Sequence, residues 1–293
     1  MKNVIYSFYK EIKDNDIRDN SYFSGDTLSK SEKTKLQFIK YKDKLINSKK
    51  DYAKICNADF ILFDDVEKIY DNDEFDSVNF YKHYLMEKLL KDYDNILYLD
   101  FDVVPNTNES FFDVHDMNKI NVHAINATKH KSWSYEALNS KHDYEFVMRV
   151  HFDKYHMYCK ALCKQSMLII DDIYNNDFHI ANTGIIGGSA ESLSQIKMTE
   201  RYDEILNRLN TAKEEKYFGE NVTRHFFANN EVFFSYILDR FKPEWNNLSS
   251  DWHYCHYKVS DEDKLHDIYN KIKVRKAKLI HVIDKNFDLI YNV

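Results

Sequence analysis

The chain has 293 residues, of which 43% are apolar and 30% charged, and its net charge is −7. That is enough apolar material to fill a core, while the acidic balance and the lack of a basic block argue against nucleic acid as a partner. No stretch approaches the roughly 18 apolar residues of a membrane span, and the acidic start MKNVIYSFYKEIKD does not suit a signal peptide.

In chain order, VIYSFY (4–9) reads as a first strand and the Lys-rich stretch 31–56 as a helix with a wet outer face. DFILFDD (59–65) reads as a short buried strand. FDSVNFYKHYLMEKLLKDY (75–93) carries Val78, Tyr81, Leu85 and Leu89 at helical steps, and NILYLDFD (95–102) is a strand. Strand, helix, strand, helix, strand predicts a mostly parallel central sheet flanked by helices, an α/β fold that binds ligands beyond the carboxyl ends of its strands. NVHAINA (121–127), MLIIDD (167–172) and IANTGIIGG (180–188) read as further strands, 190–210 and 230–241 as helices, and KAKLIHVID (276–284) as a last strand. Residues 130–165 fit neither pattern. With only 5 glycines, 2 prolines and no linker-like stretch, the chain reads as one domain over 1–293.

The strand at 95–102 ends in two carboxylates, Asp100 and Asp102. The chain contains Asp-x-Asp five times, at 14/16, 71/73, 92/94, 100/102 and 261/263. Only the pair at 100/102 follows a buried strand, where a carboxylate is costly unless paired or bound to metal. Mg²⁺ and Mn²⁺ take oxygen ligands and share one or two carboxylates with substrate phosphates. The alternatives are a strand-end acid capping a neighbouring helix, and a haloacid-dehalogenase-like phosphatase with Asp100 as nucleophile. The phosphatase pattern wants a small hydroxyl residue after the pair, where this chain has Val103, Val104 and Pro105.

Three of the five glycines, Gly184, Gly187 and Gly188, fall within FHIANTGIIGGSAESL (178–193). Such clustering in a glycine-poor chain predicts a sharp turn or a close approach to a ligand, with Asn182 and Thr183 supplying hydrogen-bonding groups. A tight turn before the helix at 190 would account for Gly187 and Gly188. DWHYCHY (251–257) packs aromatic and histidine residues together, as a pocket lining or as core. His151, His156, Cys159 and Cys163 lie within thirteen residues, at a spacing that matches no common zinc template. The four cysteines, Cys56, Cys159, Cys163 and Cys255, are too few for a disulfide framework and read as reduced thiols.

YDNILYLDFDVV followed by IANTGIIGGS resembles the metal-dependent retaining glycosyltransferases of the GT-A fold. NILYLDFD and the helix before it are similar to glycogenin-like and lipopolysaccharide galactosyltransferase-like enzymes. FHIANTGIIGGSAESL, NNEVFFSYILDRFKPEW and SSDWHY look closer to the blood-group A/B transferase-like family. The resemblance implies Mn²⁺ or Mg²⁺ on Asp100 and Asp102, completed by His281 of KLIHVIDKN, which lacks the glycine and Lys-Pro-Trp run of the fuller motif. It implies Lys285 and Lys82 on the donor phosphates, Tyr6 and Ser7 near the nucleotide base, and the Asn182–Gly188 segment on the sugar. Glu231 would face the transferred sugar carbon, although a helix-start acid capped by Asn229 or Asn230 is an equal reading. The implied function is transfer of a sugar from a UDP-sugar to a glycan or other hydroxyl. Residues 1–128 would form the nucleotide-binding half and 129–293 the acceptor half, working in a bacterial, phage-host or virus-host cytoplasm. A glycan-binding module without turnover is the remaining alternative.

Overall fold

The computed structural model describes residues 1–14, 30–65, 76–127, 144–256, 273–283 and 285–291, without the side chains of residues 30, 76–78, 144–156 and 221. The strands are β1 (Asn3–Phe8), β2 (Ala58–Phe63), β3 (Asn95–Leu99), β4 (Val103–Pro105), β5 (Ile120–Asn126), β6 (His179–Ser189), β7 (Trp245–Asn247), β8 (Tyr254–His256) and β9 (Leu279–Val282). The longer helices are α1 (Lys30–Ile55), α2 (Asp76–Leu89), α3 (Tyr144–Ile170), α4 (Met198–Glu215) and α5 (Asn230–Phe241).

Six strands form the central sheet in the order β2-β1-β3-β6-β5-β7. β2, β1 and β3 are parallel, β6 runs against both β3 and β5, and β7 is parallel to β5. The sheet is therefore mostly parallel and flanked by helices, as the alternating pattern predicts. A second sheet, β4-β9-β8, stands at the carboxyl end of β3. No helix among the described residues is long and apolar enough to cross a membrane.

The period of two along the strands divides the core into faces. Val4, Tyr6 and Phe8 of β1 and Ile96 and Tyr98 of β3 pack on one face with Phe80, Leu85 and Met86 of α2 and Phe233 and Phe234 of α5. Ile5, Leu97 and Leu99 point the other way, onto Tyr52 and Ala53 of α1 and onto Phe111 and Trp252. β3 is buried along its whole length, so it reads as a continuous apolar run.

Two expectations change. MLIIDD (167–172) is not a strand: Met167 to Ile170 form the end of the 27-residue helix α3, which also takes in part of the stretch that fitted neither pattern. A short apolar run cannot distinguish a buried strand from a buried helical turn, and here the helix continues from residues that carry no clear period. The helix over 190–210 is two pieces, Ala190–Leu193 and α4, parted at Lys197, whose φ is 46°.

His83, on α2, is fully buried and stacks on Phe234 at 5.6 Å. Burial, aided by the Lys82 charge, lowers its pKa to about 3. The native state thus holds the ring neutral where an unfolded chain, with a pKa of about 6.5, would protonate it. Stability from this group is complete above about pH 6.5 and is lost as pH falls toward 3, at up to about 1.4 kcal/mol per pH unit. Urea unfolding between pH 7 and pH 4.5 should show that loss, and His83→Asn should flatten it. An equal slope in the variant would rule His83 out as its source.

Candidate active site

The chain leaves β3 at Leu99 and places Asp100 and Asp102 at the mouth of the sheet. Backbone bonds fix this turn. Asp100 N–H donates to Gly184 O at 2.7 Å, Val103 N–H to Asp100 O at 2.9 Å, and Val282 N–H to Asp102 O at 3.0 Å. The two acids are thereby tied to β6 on one side and to β9 on the other.

Each carboxylate has a lysine. Lys82 Nζ lies 3.1 Å from Asp100 Oδ1 and also donates to Thr183 O at 3.1 Å. Tyr98 donates its hydroxyl to the same Asp100 oxygen. Lys285 Nζ lies 2.5 Å from Asp102 Oδ2. It follows β9 in a tight turn at φ 55°, with its N–H on Val282 O at 2.9 Å. These cations offset the repulsion between two acids one residue apart.

His281 stands between them. Its Nε2 is 3.3 Å from Asp102 Oδ2 and 3.7 Å from Asp100 Oδ2. Burial alone would lower the His281 pKa, but the Asp102 charge overrides it and raises the value to about 10. Burial alone would raise the Asp102 pKa, yet Lys285 and His281 hold that carboxyl well below the usual range. A bare alanine methyl at position 184 would sit 2.3 Å from His281 Cε1 and 2.6 Å from Nδ1, so Gly184 is the space the imidazole needs. Asp100, Asp102 and His281 each offer one ligand atom within 4.8 Å of the others. Ligands around Mg²⁺ or Mn²⁺ lie about 2.1 Å from the ion and so about 3 Å apart, close to the separations here. Two carboxylates plus one imidazole suit Mn²⁺.

The remaining expected residues fall in three groups. Asn182 and Thr183 join the cluster: Asn182 Oδ1 accepts from Gly184 N–H at 3.0 Å, and Thr183 donates its hydroxyl to Asn230. Glu231, the next residue on α5, is contacted by Lys160 of α3, and Asn229 caps the helix through Glu231 N–H at 3.0 Å and Val232 N–H at 3.3 Å. Tyr6 and Ser7 turn inward, donating to Lys82 O at 2.7 Å and Leu99 O at 2.6 Å, and so brace α2 and β3 behind the acids. Gly187 and Gly188 sit further back, beside Leu97 and Ile96. A methyl at these two positions would meet the Phe111 ring at 2.4 Å and Ser192 Oγ at 2.6 Å.

Two further lysines carry no sequence signal. Lys49 of α1 is buried and donates to Phe101 O at 2.8 Å and Val103 O at 2.7 Å, clamping the turn from beneath. Burial lowers its pKa to about 7, against the pull of Asp102 and Asp100. It sits in a Lys-rich stretch that reads as solvated surface. Lys160 pairs with Glu231 from a helix whose period is unclear in the sequence. Of the His/Cys group, Cys159 and Cys163 are buried thiols on α3, and the side chains of His151 and His156 lie outside the described residues.

No protein-family model matches the chain, and neither does any curated protein. Among solved structures, a glycosyltransferase involved in the glycosylation of the major capsid of PBCV-1 is 10% identical, with a TM-score of 0.45, over 99% of this chain and 100% of that one. Mouse xyloside xylosyltransferase 1 is 9% identical, with a TM-score of 0.41, over 97% and 98%. Galactosyltransferase LgtC is 8% identical, with a TM-score of 0.42, over 96% and 87%.

Proposed function

We propose that this protein transfers a sugar from a nucleotide diphosphate donor, a UDP-sugar, to a hydroxyl of a glycan or other acceptor, with retention of configuration. The observation that carries the reading is one cluster: two carboxylates, an imidazole and two lysines at the carboxyl end of a buried strand. Asp100, Asp102 and His281 would hold Mn²⁺ or Mg²⁺. When bound, that ion supplies Lewis-acid stabilisation of the charge on a departing diphosphate.

The chain's own groups do the rest. Lys82 and Lys285 add positive charge where the diphosphate lies. Asn182, Thr183 and Gly184 present backbone and small polar groups to the sugar, with Gly187 and Gly188 behind them. Tyr6 and Ser7 shape the end of β1 toward the nucleotide. Glu231 stabilises or captures the anomeric carbon. Residues 1–128 are the nucleotide-binding half of a single unit, and 129–293 supply the sugar and acceptor side.

Thermal unfolding with nucleotide-sugars, with and without Mn²⁺, tests this. A ligand at 100 times its Kd stabilises by about 2.7 kcal/mol, or roughly 5–10 °C in a chain of this size. UDP-sugars should raise Tm by that order only when Mn²⁺ is present. No shift with any donor, or phosphate release from simple esters without a nucleotide-sugar, would overturn the reading.

A further inference from the structure

His281 turns only Nε2 toward the carboxylates. Its Nδ1 lies 3.0 Å from Nε2 of His253, and the Cys255 thiol hydrogen-bonds to the same ring. One nitrogen of His253, one of His281 and Cys255 Sγ all lie within 4.8 Å of one another. The sheet explains the convergence. Cys255 and His281 are register partners on the parallel strands β8 and β9, so their side chains share a face. His253 stands immediately before β8, two residues ahead of Cys255, and reaches the same imidazole. His253 is buried, and its Nδ1 has no hydrogen-bond partner among the described residues. Nothing in sugar transfer as read above uses a thiol or a second imidazole.

The two sides of His281 differ in chemistry. The carboxylate side offers oxygens and one nitrogen, a hard set. The other side offers two nitrogens and a sulfur, the set that selects Zn²⁺ over Mg²⁺ or Mn²⁺. Zn²⁺ binds nitrogen at about 2.0 Å and thiolate at about 2.3 Å, which puts tetrahedral ligand atoms roughly 3.3–3.6 Å apart. The rings need to part by only a few tenths of an ångström from their present 3.0 Å.

We propose that His253 Nε2, Cys255 Sγ and His281 Nδ1 form a second cation site, one for a thiophilic divalent ion of the Zn²⁺ class, back to back with the carboxylate site. The ion takes the place of the hydrogen between the two rings, that proton and the thiol's are both released to solvent, and the fourth position stays open to water. The two sites share one imidazole, so an ion on Nδ1 draws electron density from Nε2. Zn²⁺ therefore weakens binding of Mn²⁺ on the other side, and the coupling is reciprocal. This second statement rests on the metal reading of Asp100, Asp102 and His281; the existence of the soft site does not.

Co²⁺ is the probe, titrated alone into the reduced, metal-stripped full chain. The expected result is one equivalent bound with a near-ultraviolet thiolate-to-cobalt band and tetrahedral visible bands, all erased by Zn²⁺. Cys255→Ser should remove the near-ultraviolet band and leave Tm unchanged, since that thiol is partly exposed and the other three are buried elsewhere. His253→Gln should weaken Co²⁺ binding at least about tenfold. Absence of a thiolate band, or a band that survives in Cys255→Ser, would overturn the site. Mn²⁺ binding read by electron paramagnetic resonance should weaken at least about fivefold when Zn²⁺ is added, and an unchanged affinity would refute the coupling. None of these readouts involves a nucleotide or a sugar, so a failure of the transfer reading and a failure of this one are separately visible.

Discussion

Asp102→Asn is expected to abolish Mn²⁺-dependent sugar transfer, by about a thousandfold or more, while the protein stays folded. The side chain is buried, with Lys285 at 2.5 Å and His281 Nε2 at 3.3 Å from the same oxygen. Asparagine keeps its shape and one carbonyl acceptor but removes the charge that a divalent ion needs. Loss of the ion pair should cost about 1–3 kcal/mol, because Lys285 is partly exposed and recovers water. Donor turnover across a Mn²⁺ series, read beside circular dichroism, separates the two effects. Ordinary turnover by the variant in Mn²⁺ would end the proposed function.

The second large effect runs in two directions. Lys285→Met should tighten binding of Mn²⁺ alone by about tenfold and weaken donor binding by at least as much. Lys285 Nζ occupies the coordination space of Asp102 Oδ2, so a cation and the lysine compete for one oxygen. An ion that wins displaces the ammonium toward the diphosphate it is proposed to bind. On the proposed reading, the lysine would occupy the metal site before binding and meet the donor after it. Mn²⁺ affinity by electron paramagnetic resonance and the donor KM form the pair of measurements. A variant with weaker Mn²⁺ binding would show that Lys285 supports the ion rather than excluding it.

The sequence discloses the sheet better than the site. β1 and β3 are legible because strands buried on both faces are apolar throughout, whereas β2, which reads as buried, is a half-exposed edge strand; α5 is legible because its start carries an asparagine cap. α3 is obscured by an apolar run, MLII, too short to show its period. The acid pair stands out because carboxylates at a buried strand end need a partner. Among the lysines, Lys82 and Lys285 stand out only through the family resemblance; with 41 Lys and Arg in the chain, Lys49 and Lys160 look like their solvated neighbours, although the fold buries the first and leaves the second only slightly exposed. Gly184 stands out as a scarce residue inside a strand. Its reason, the width of the His281 ring, lies nearly a hundred residues away and has no local trace.

The small sheet β4-β9-β8 also has a kinetic consequence. Its middle strand arrives last from the ribosome and pairs Val103 with His281, so one of the longest loops in the protein must close to complete the pocket. The central sheet has all its strands by Asn247. A nascent chain stopped there could bury most of its core and still lack both the imidazole and the ammonium that face Asp102. An ion held by Asp102 and His281 therefore has to wait for β9, and a chain cut after Asn247 would have the strands of the central sheet and lack that site.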